Sequence, residues 1–464
     1  MDASFTQRFG LSANGFLPSR LPLAHLPDPY YAPWEAIITR LPELLQNKDL
    51  RSKVRSLSVL STNGLATEPE WRRAYVILVF LTHAYIWGDD PVAEVLPPCI
   101  AVPLLAVSSY LELPPVATYA ALNLWNFTTE GAARDGDKTA AENPPENPPA
   151  AIAFDDLDRL KALHTFTGTA SESWFYVVSV AMECRAAAIL PVLVRAIEAV
   201  AIHHDVNNNQ SNTTTTTTTT TTVTAALDQF VACIHEIGLL LDRMHERCDP
   251  SVFFYRIRPF LAGSKHMAAQ GLPRGVFYDE ESGGGEGKEG DASRGQWRQL
   301  RGGSNGQSSL LQFFDLALGV EHTSDGRHSA ALRAFVQQQA EDEEDDDDDV
   351  LSDDRIKLLT AFAKATEALA AFRNKHLAIV TRYIIIPSRQ KQAAEAAEAA
   401  EAAGTKEAKD LPSPSKLRGL ARVSTHRDAA DMLTGTGGTE LLPFLKQTRD
   451  ETLQAGVFAA TTSA

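Results

Sequence analysis

Along most of the chain apolar residues recur at three- and four-residue steps, the period of a helix with one buried face. Over 369–383 the step is kept by Leu369, Phe372, His376, Ile379, Val380 and Tyr383. The spacing predicts a helix that starts at Ser352, an N-cap followed by two aspartates, and stops at Pro387, which has no N–H to donate and crowds the preceding turn. His376 is the polar member of that stripe, so it is either a hydrogen-bonded core histidine or a ligand facing a cavity. Upstream, 71–87 is almost wholly apolar and ends at Gly88, a natural C-terminal stop. A helix also begins near Trp34, and another follows Glu112 with Pro114 and Pro115 at its start. The stretch 174–190 is apolar around most of its circumference, as a helix surrounded by protein is, and Pro191 breaks or restarts it. Leu227, Phe230, Val231, Ile234, Ile237 and Leu241 continue the pattern over 225–244. No strong period of two is present, so the expected fold is mainly all-α with little sheet.

Breaks in the pattern divide the chain. Residues 128–150 carry Gly, Asp, Lys and the repeat ENPPENPP; that composition marks a linker between a small, mostly helical N-terminal domain, 1–127, and a large helical domain, 151–464. Three low-complexity stretches read as disordered insertions, near 205–223 (a run of threonines), 340–352 (an acidic run) and 390–430 (an AAE repeat, at most a solvated helix).

Charge and cysteine usage narrow the classes. The net charge of -16 over 464 residues excludes a nucleic-acid surface, which needs clustered Lys and Arg. The four cysteines form no CxxC pair, which fits a reducing compartment and offers no zinc site. The first residues lack the apolar core of a signal peptide. The apolar stretch 174–202 is interrupted by Glu183, Arg185, Pro191 and Arg195, so buried helices are expected there rather than a membrane span. A soluble cytoplasmic protein is expected.

Three polar or glycine-rich segments stand out. In 253–265 Arg256 and Arg258 lie two apart between aromatics, so on a helix one points inward and the other to solvent. A buried arginine needs an anion, either a nearby acid or a substrate carboxylate. In 302–322 a glycine-rich turn leads into an apolar helix whose Asp315 needs a partner, Arg373 being one candidate. In 435–446 GTGGT reads as a flexible connection or a loop closing on a pocket. P-loop, GxGxxG, GxSxG and HExxH patterns are absent. An apolar cavity with one histidine, one anion-binding arginine and two glycine loops would suit a haem with an aromatic substrate.

FLTHAYIWG, LPPCIAVP, LELPPVATYA, SESWFYVVSV, IRPFLAGSK, GGSNGQSSLLQFFD, FRNKHLAIVTRYIIIP and GTGGT follow in that order from residue 80 to 439. Together they resemble the indoleamine 2,3-dioxygenase family, with fungal-type order and spacing. The resemblance implies a haem b enzyme that inserts both atoms of O2 across the indole C2–C3 bond of L-tryptophan to give N-formyl-L-kynurenine, the first step of the kynurenine pathway and of NAD biosynthesis from tryptophan. It implies a monomeric soluble enzyme with no nucleic-acid or membrane partner. By the same resemblance His376 is the proximal haem ligand, Arg258 pairs with the substrate carboxylate and Phe253 lies beside the indole. Tyr119, Phe175 and Ser179 match the distal pocket, Ser179 as a hydrogen-bond donor to O2 or the substrate amine. Thr436 matches the closing loop, Gly303 and Ser304 the backbone that approaches haem and substrate, and Asp315 with Arg373 the polar pair that helps hold the haem. The segment before the proximal helix, with Gln337 to Gln339 and the acidic run, departs from the family pattern. The same motifs are open to a haem-binding paralogue with little turnover, acting as a haem or tryptophan sensor.

Overall fold

The computed structural model describes residues 8–129, 154, 156–207, 213–281, 294–322, 331–341, 353–404 and 441–458. Helices dominate. The N-terminal part carries α1 (Ala32–Thr39), α2 (Leu41–Gln46), α3 (Leu50–Arg55), α4 (Glu68–Trp87) and α5 (Pro98–Tyr110). Beyond residue 156 come α6 (Ala170–Arg185), α7 (Ile189–Asn207), α8 (Thr213–Asp242) and α9 (Met244–Arg247). The chain continues with α10 (Ser309–Leu318), α11 (Ala331–Glu341), α12 (Asp353–Val380), α13 (Ile386–Gly404) and α14 (Leu441–Ala455).

Short strands do form, although no period-two pattern announces them. β1 (Val95–Leu96) pairs in parallel with β4 (Val276–Asp279), and β4 pairs antiparallel with β5 (Gly295–Arg298), with Val276 opposite Arg298. β2 (Phe127–Thr129) and β3 (Leu160–Ala162) form a second antiparallel pair across the linker. Each strand has four residues or fewer, too short to show alternation.

Two apolar clusters make the core. One joins α1 to α5 with α6 and with Phe253, Phe260 and Tyr383; the other lies between α7, α8, α10, α11, α12 and α14. Two helical stretches, 170–205 and 215–247, have the length and composition to cross a membrane, and the most apolar window of the first is 67% buried inside the fold. All four cysteines are free thiols.

Three expectations need correction. Pro387 does not stop the His376 helix. The turn 381–385 widens so that the Ile386 N–H reaches the Thr381 carbonyl, five residues back, and the helix resumes as α13. A widened turn absorbs the hydrogen bond that proline cannot donate. The threonine run is helical, forming the start of α8. Its hydroxyls turn back onto the backbone, Thr221 to the Thr217 carbonyl and Thr222 to the Thr218 carbonyl at 2.9 Å, while Thr219 and Thr220 are buried. The start of the AAE tract is a helix, as one reading allowed, but it is not wholly solvated, since Lys391 is buried. Ser352, the expected N-cap of α12, and the acidic run 342–349 lie outside the described residues.

Candidate functional site

α12 presents His376 to two adjoining cavities that share Asn305, Gly306, Phe444 and Leu445 as walls. One, of about 150 Å3, is lined by Tyr119, Leu122, Asn123, Phe175, Phe253, Arg258, Leu261, Gly303, Ser304, Ile379 and Tyr383 among others. The other, of about 420 Å3, is lined by Asp315, His322, Phe372, Arg373 and Thr448. Together they reach the ~300–1,000 Å3 range of small-molecule sites.

Widened turns build the first cavity's walls. In addition to 381–385, which carries Tyr383 and Ile384, the turns Ala120–Leu124 and Phe253–Ile257 each close with a bond five residues back. The first carries Leu122 and Asn123, and the second Phe253 with Arg258 at its end. Such turns rotate side chains out of the ordinary helical register, and they are frequent at functional sites.

Behind these walls sits His83, on the stretch 73–87 of α4 that is buried throughout. Its Nδ1 donates to the Phe260 carbonyl at 2.7 Å and its Nε2 accepts from the Ala117 N–H at 2.9 Å, which fixes one neutral tautomer. Burial pushes its pKa down to about 4. One turn on, the Trp87 indole donates to the Ala262 carbonyl at 2.9 Å. α4 thus holds the segment 258–263 in place. That segment packs backbone to backbone on the glycine loop: a Cβ on Gly263 would lie 2.3 Å from the Gly302 nitrogen, and one on Gly302 2.3 Å from the Gly263 nitrogen. Glycine is required at both by the close approach.

Arg258 is 1% exposed, whereas Arg256 is exposed. Desolvation lowers the Arg258 pKa to about 10, so the guanidinium remains charged at neutral pH. It lies 5.6 Å from the centre of the Phe254 ring. Phe175 and Phe253 have ring centres 4.9 Å apart, and Tyr383 meets Phe253 edge-on at 5.8 Å. An arginine cation and an aromatic wall therefore share one apolar chamber.

The Tyr119 hydroxyl is committed elsewhere. It donates to Glu183 at 2.9 Å, and the Ser308 hydroxyl donates to the same carboxyl oxygen at 2.8 Å. Ser308 is also the N-cap of α10. Burial raises the Glu183 pKa to about 7, the two hydroxyls acting against it. Ser179 is buried and is not among the residues lining the cavity; its hydroxyl faces that of Tyr119. Asp315 and Arg373 form an ion pair, as their apolar surroundings demand. Arg373 also donates to the Thr448 carbonyl at 2.6 Å and to the Thr452 hydroxyl, binding α14 to α12. His322 bridges Asp315 (3.2 Å) and Glu451 (2.7 Å), and the Asp315 hydrogen bond is the main cause of its raised pKa.

The structure therefore brings Tyr119, Phe175, Phe253, Arg258, Gly303, Ser304 and His376 to one cavity, and Asp315 and Arg373 to its neighbour. Thr436 lies outside the described residues. Sequence reasoning gave no role to His83, Asn123, Glu183 or Tyr383. His83 and Glu183 did carry a signal, the same one as His376: a polar residue inside an otherwise apolar helix.

The residues fit a haem. Burial, with Arg373 nearby, lowers the His376 pKa to about 4, so the imidazole is neutral and one ring nitrogen is available to a metal. Among the described residues no group of three or more His, Cys, Asp or Glu could hold a metal ion. A metal at His376 would then bring its other ligands with it, as a macrocycle does. Leu122, Leu261, Ile379, Val380 and Leu445 supply apolar walls, and Arg373, held by Asp315, lines the second cavity.

A family model described as indoleamine 2,3-dioxygenase matches residues 5–339 and 326–455. The chain is 35% identical over 463 residues to indoleamine 2,3-dioxygenase nanC of Aspergillus nanangensis, covering 95% of this chain and 94% of that protein. It is 34% identical over 461 residues to the indoleamine 2,3-dioxygenase of Saccharomyces cerevisiae, covering 95% and 91%. A 6-hydroxytryptophan 2,3-dioxygenase, fscD of Fusarium equiseti, is 32% identical over 454 residues, covering 95% of each chain.

Proposed function

This chain belongs to the indoleamine 2,3-dioxygenase family, an oxidoreductase family acting on tryptophan and related indoles, and we propose that it cleaves the C2–C3 bond of L-tryptophan with O2 to N-formyl-L-kynurenine, using haem b. The observation that carries this reading is a neutral, cavity-facing His376 on the same chamber as a buried arginine and an aromatic wall. Haem, when bound, supplies the ferrous iron that activates O2.

The chain's own residues do the rest. His376 would hold the iron through a ring nitrogen, and the Asp315–Arg373 pair would flank the group from the adjoining cavity. Arg258 is charged at neutral pH and takes the substrate carboxylate in a dry, low-dielectric pocket, where such a pair is strong. Phe175, Phe253 and Tyr119 confine the indole. Fixing the ring and the carboxylate at separate points orients the reacting C2–C3 edge, and orientation is the larger part of what such a site contributes. Leu441, Phe444 and Leu445 of α14 give the cavity an apolar wall on the side facing α12. Ser179, turned to Tyr119, acts through that side chain. In keeping with its free cysteines, the protein is read as a cytoplasmic monomer.

A ring-hydroxylated tryptophan is the second substrate reading, favoured by the similarity to fscD. The test is to supply the reduced haem-loaded protein with each amino acid and O2 and follow the formylkynurenine product. A normal haem spectrum without product from either substrate would leave only a haem-binding or sensing role.

A further inference from the structure

Asn123 stands out on the cavity wall. It is 2% exposed, and its neighbours along the turn, Leu122 and Leu124, are apolar. Its Nδ2 donates to the Tyr119 carbonyl at 3.2 Å, which fixes the orientation of the amide, because a flipped amide would set two acceptors against each other. Its Oδ1 is buried and accepts no hydrogen bond. A buried, unsatisfied amide oxygen is a standing cost to the fold, and an apolar residue of similar volume would avoid it. Asn123 is one of the residues lining the binding cavity, so a ligand seated there is the available source of the missing donor.

We propose that Asn123 is a specificity-determining residue whose Oδ1 accepts a hydrogen bond from a donor on the indole ring system, either the ring N–H or a ring hydroxyl. The proposal rests on the reading of this cavity as the substrate chamber. Within that reading Arg258 is taken by the carboxylate, and the Tyr119 and Tyr383 hydroxyls are bonded to Glu183 and the Cys248 carbonyl. Ser304 and Asn305 lie on the glycine loop, and Phe175, Phe253, Leu122 and Leu261 make an aromatic and aliphatic wall. The donors of the ring would otherwise enter an apolar environment unpaired. A site that pairs them rejects analogues lacking the donor, because the buried acceptor is then left without a partner.

Four ligands separate the possibilities: L-tryptophan, its benzothiophene isostere in which sulfur replaces the N–H, and 5- and 6-hydroxytryptophan. Their dissociation constants are measured by calorimetry on the haem-loaded protein, alongside kcat/KM, for the wild type and for Asn123→Leu. If the ring N–H is the donor, wild type prefers tryptophan over the isostere by about ten-fold or more, the worth of one neutral hydrogen bond, and the variant loses that preference. If a hydroxyl is the donor, the preference for one hydroxytryptophan over tryptophan collapses in the same way. Should wild type bind all four within about three-fold, the proposal is overturned without recourse to any variant, so a misfolded Asn123→Leu does not shield it. Preferences that survive unchanged in a folded variant overturn it equally. Donor-dependent binding with no turnover would defeat the dioxygenase reading and leave Asn123 standing; turnover indifferent to the donor would do the reverse.

Discussion

Replacing His83 by leucine tests the scaffold beneath the cavity. The exchange keeps a buried side chain of similar bulk on α4, so it opens little cavity, but it removes both hydrogen bonds of the imidazole. The Phe260 carbonyl and the Ala117 N–H, two residues from Arg258 and Tyr119 respectively, are then buried without their partner. Each such group costs ~1–3 kcal/mol, so a loss of about 2–5 kcal/mol is expected at pH 7.5 in urea titration. The pH dependence adds an independent signature. The folded pKa of His83, about 4, lies below the unfolded value near 6.5. Between them the unfolded chain binds more protons, so this stabilisation is complete above pH 6.5 and is lost as the pH falls toward 4. Its size is up to ~3 kcal/mol. His376 and His164 shift in the same direction and give both proteins a common background. The gap between wild type and His83→Leu should therefore narrow on acidification through that window. A loss below ~1 kcal/mol at pH 7.5, or two stability curves that run parallel from pH 7 to 4, would refute the assigned role.

Other residues give further expectations. His376→Ala should lose haem on gel filtration; a variant that keeps haem with an unchanged Soret band contradicts the ligand assignment. Arg258→Ala should keep haem and lose ~2–5 kcal/mol of kcat/KM for tryptophan, the cost of breaking a buried charged pair; unchanged kinetics would remove it from the site. Glu183→Gln tests the carboxyl behind Tyr119. Its folded pKa, about 7, is raised above the unfolded value, so its protonation stabilises the fold at low pH and that contribution is lost as the pH rises from about 4.5 through 7. The glutamine variant should gain up to ~3 kcal/mol relative to wild type across that window, and a pH-independent difference would contradict the shift.

Long apolar periodicities made the helices legible: α4, α6, the second half of α8 and α12 lie where the three- and four-residue steps place them. The passage of α12 through Pro387 was not legible, because it depends on a widened turn whose residues look like any others in a helix. Composition misled at the threonine run, where back-bonding hydroxyls and packing against α7 outweigh low complexity. At the site, the local pattern around His376 showed only a polar residue on an apolar stripe, and its ligand role came from resemblance. The spacing of Arg256 and Arg258 showed that one of them points inward but not which; resemblance singled out Arg258, and it is the buried one. Asn123 escaped notice, and Glu183 showed only as a break in an apolar stretch, for the opposite reason. What marks them is a missing or shared hydrogen bond to residues distant in sequence, and no spacing records that.

The central claim is most directly tested with labelled oxygen. Reduced haem-loaded protein is given L-tryptophan under ¹⁸O2, and the product is weighed by mass spectrometry. The account predicts N-formyl-L-kynurenine carrying both atoms of one O2 molecule. A haem protein with a normal spectrum that yields no product, or a product whose oxygen comes from water, would contradict it.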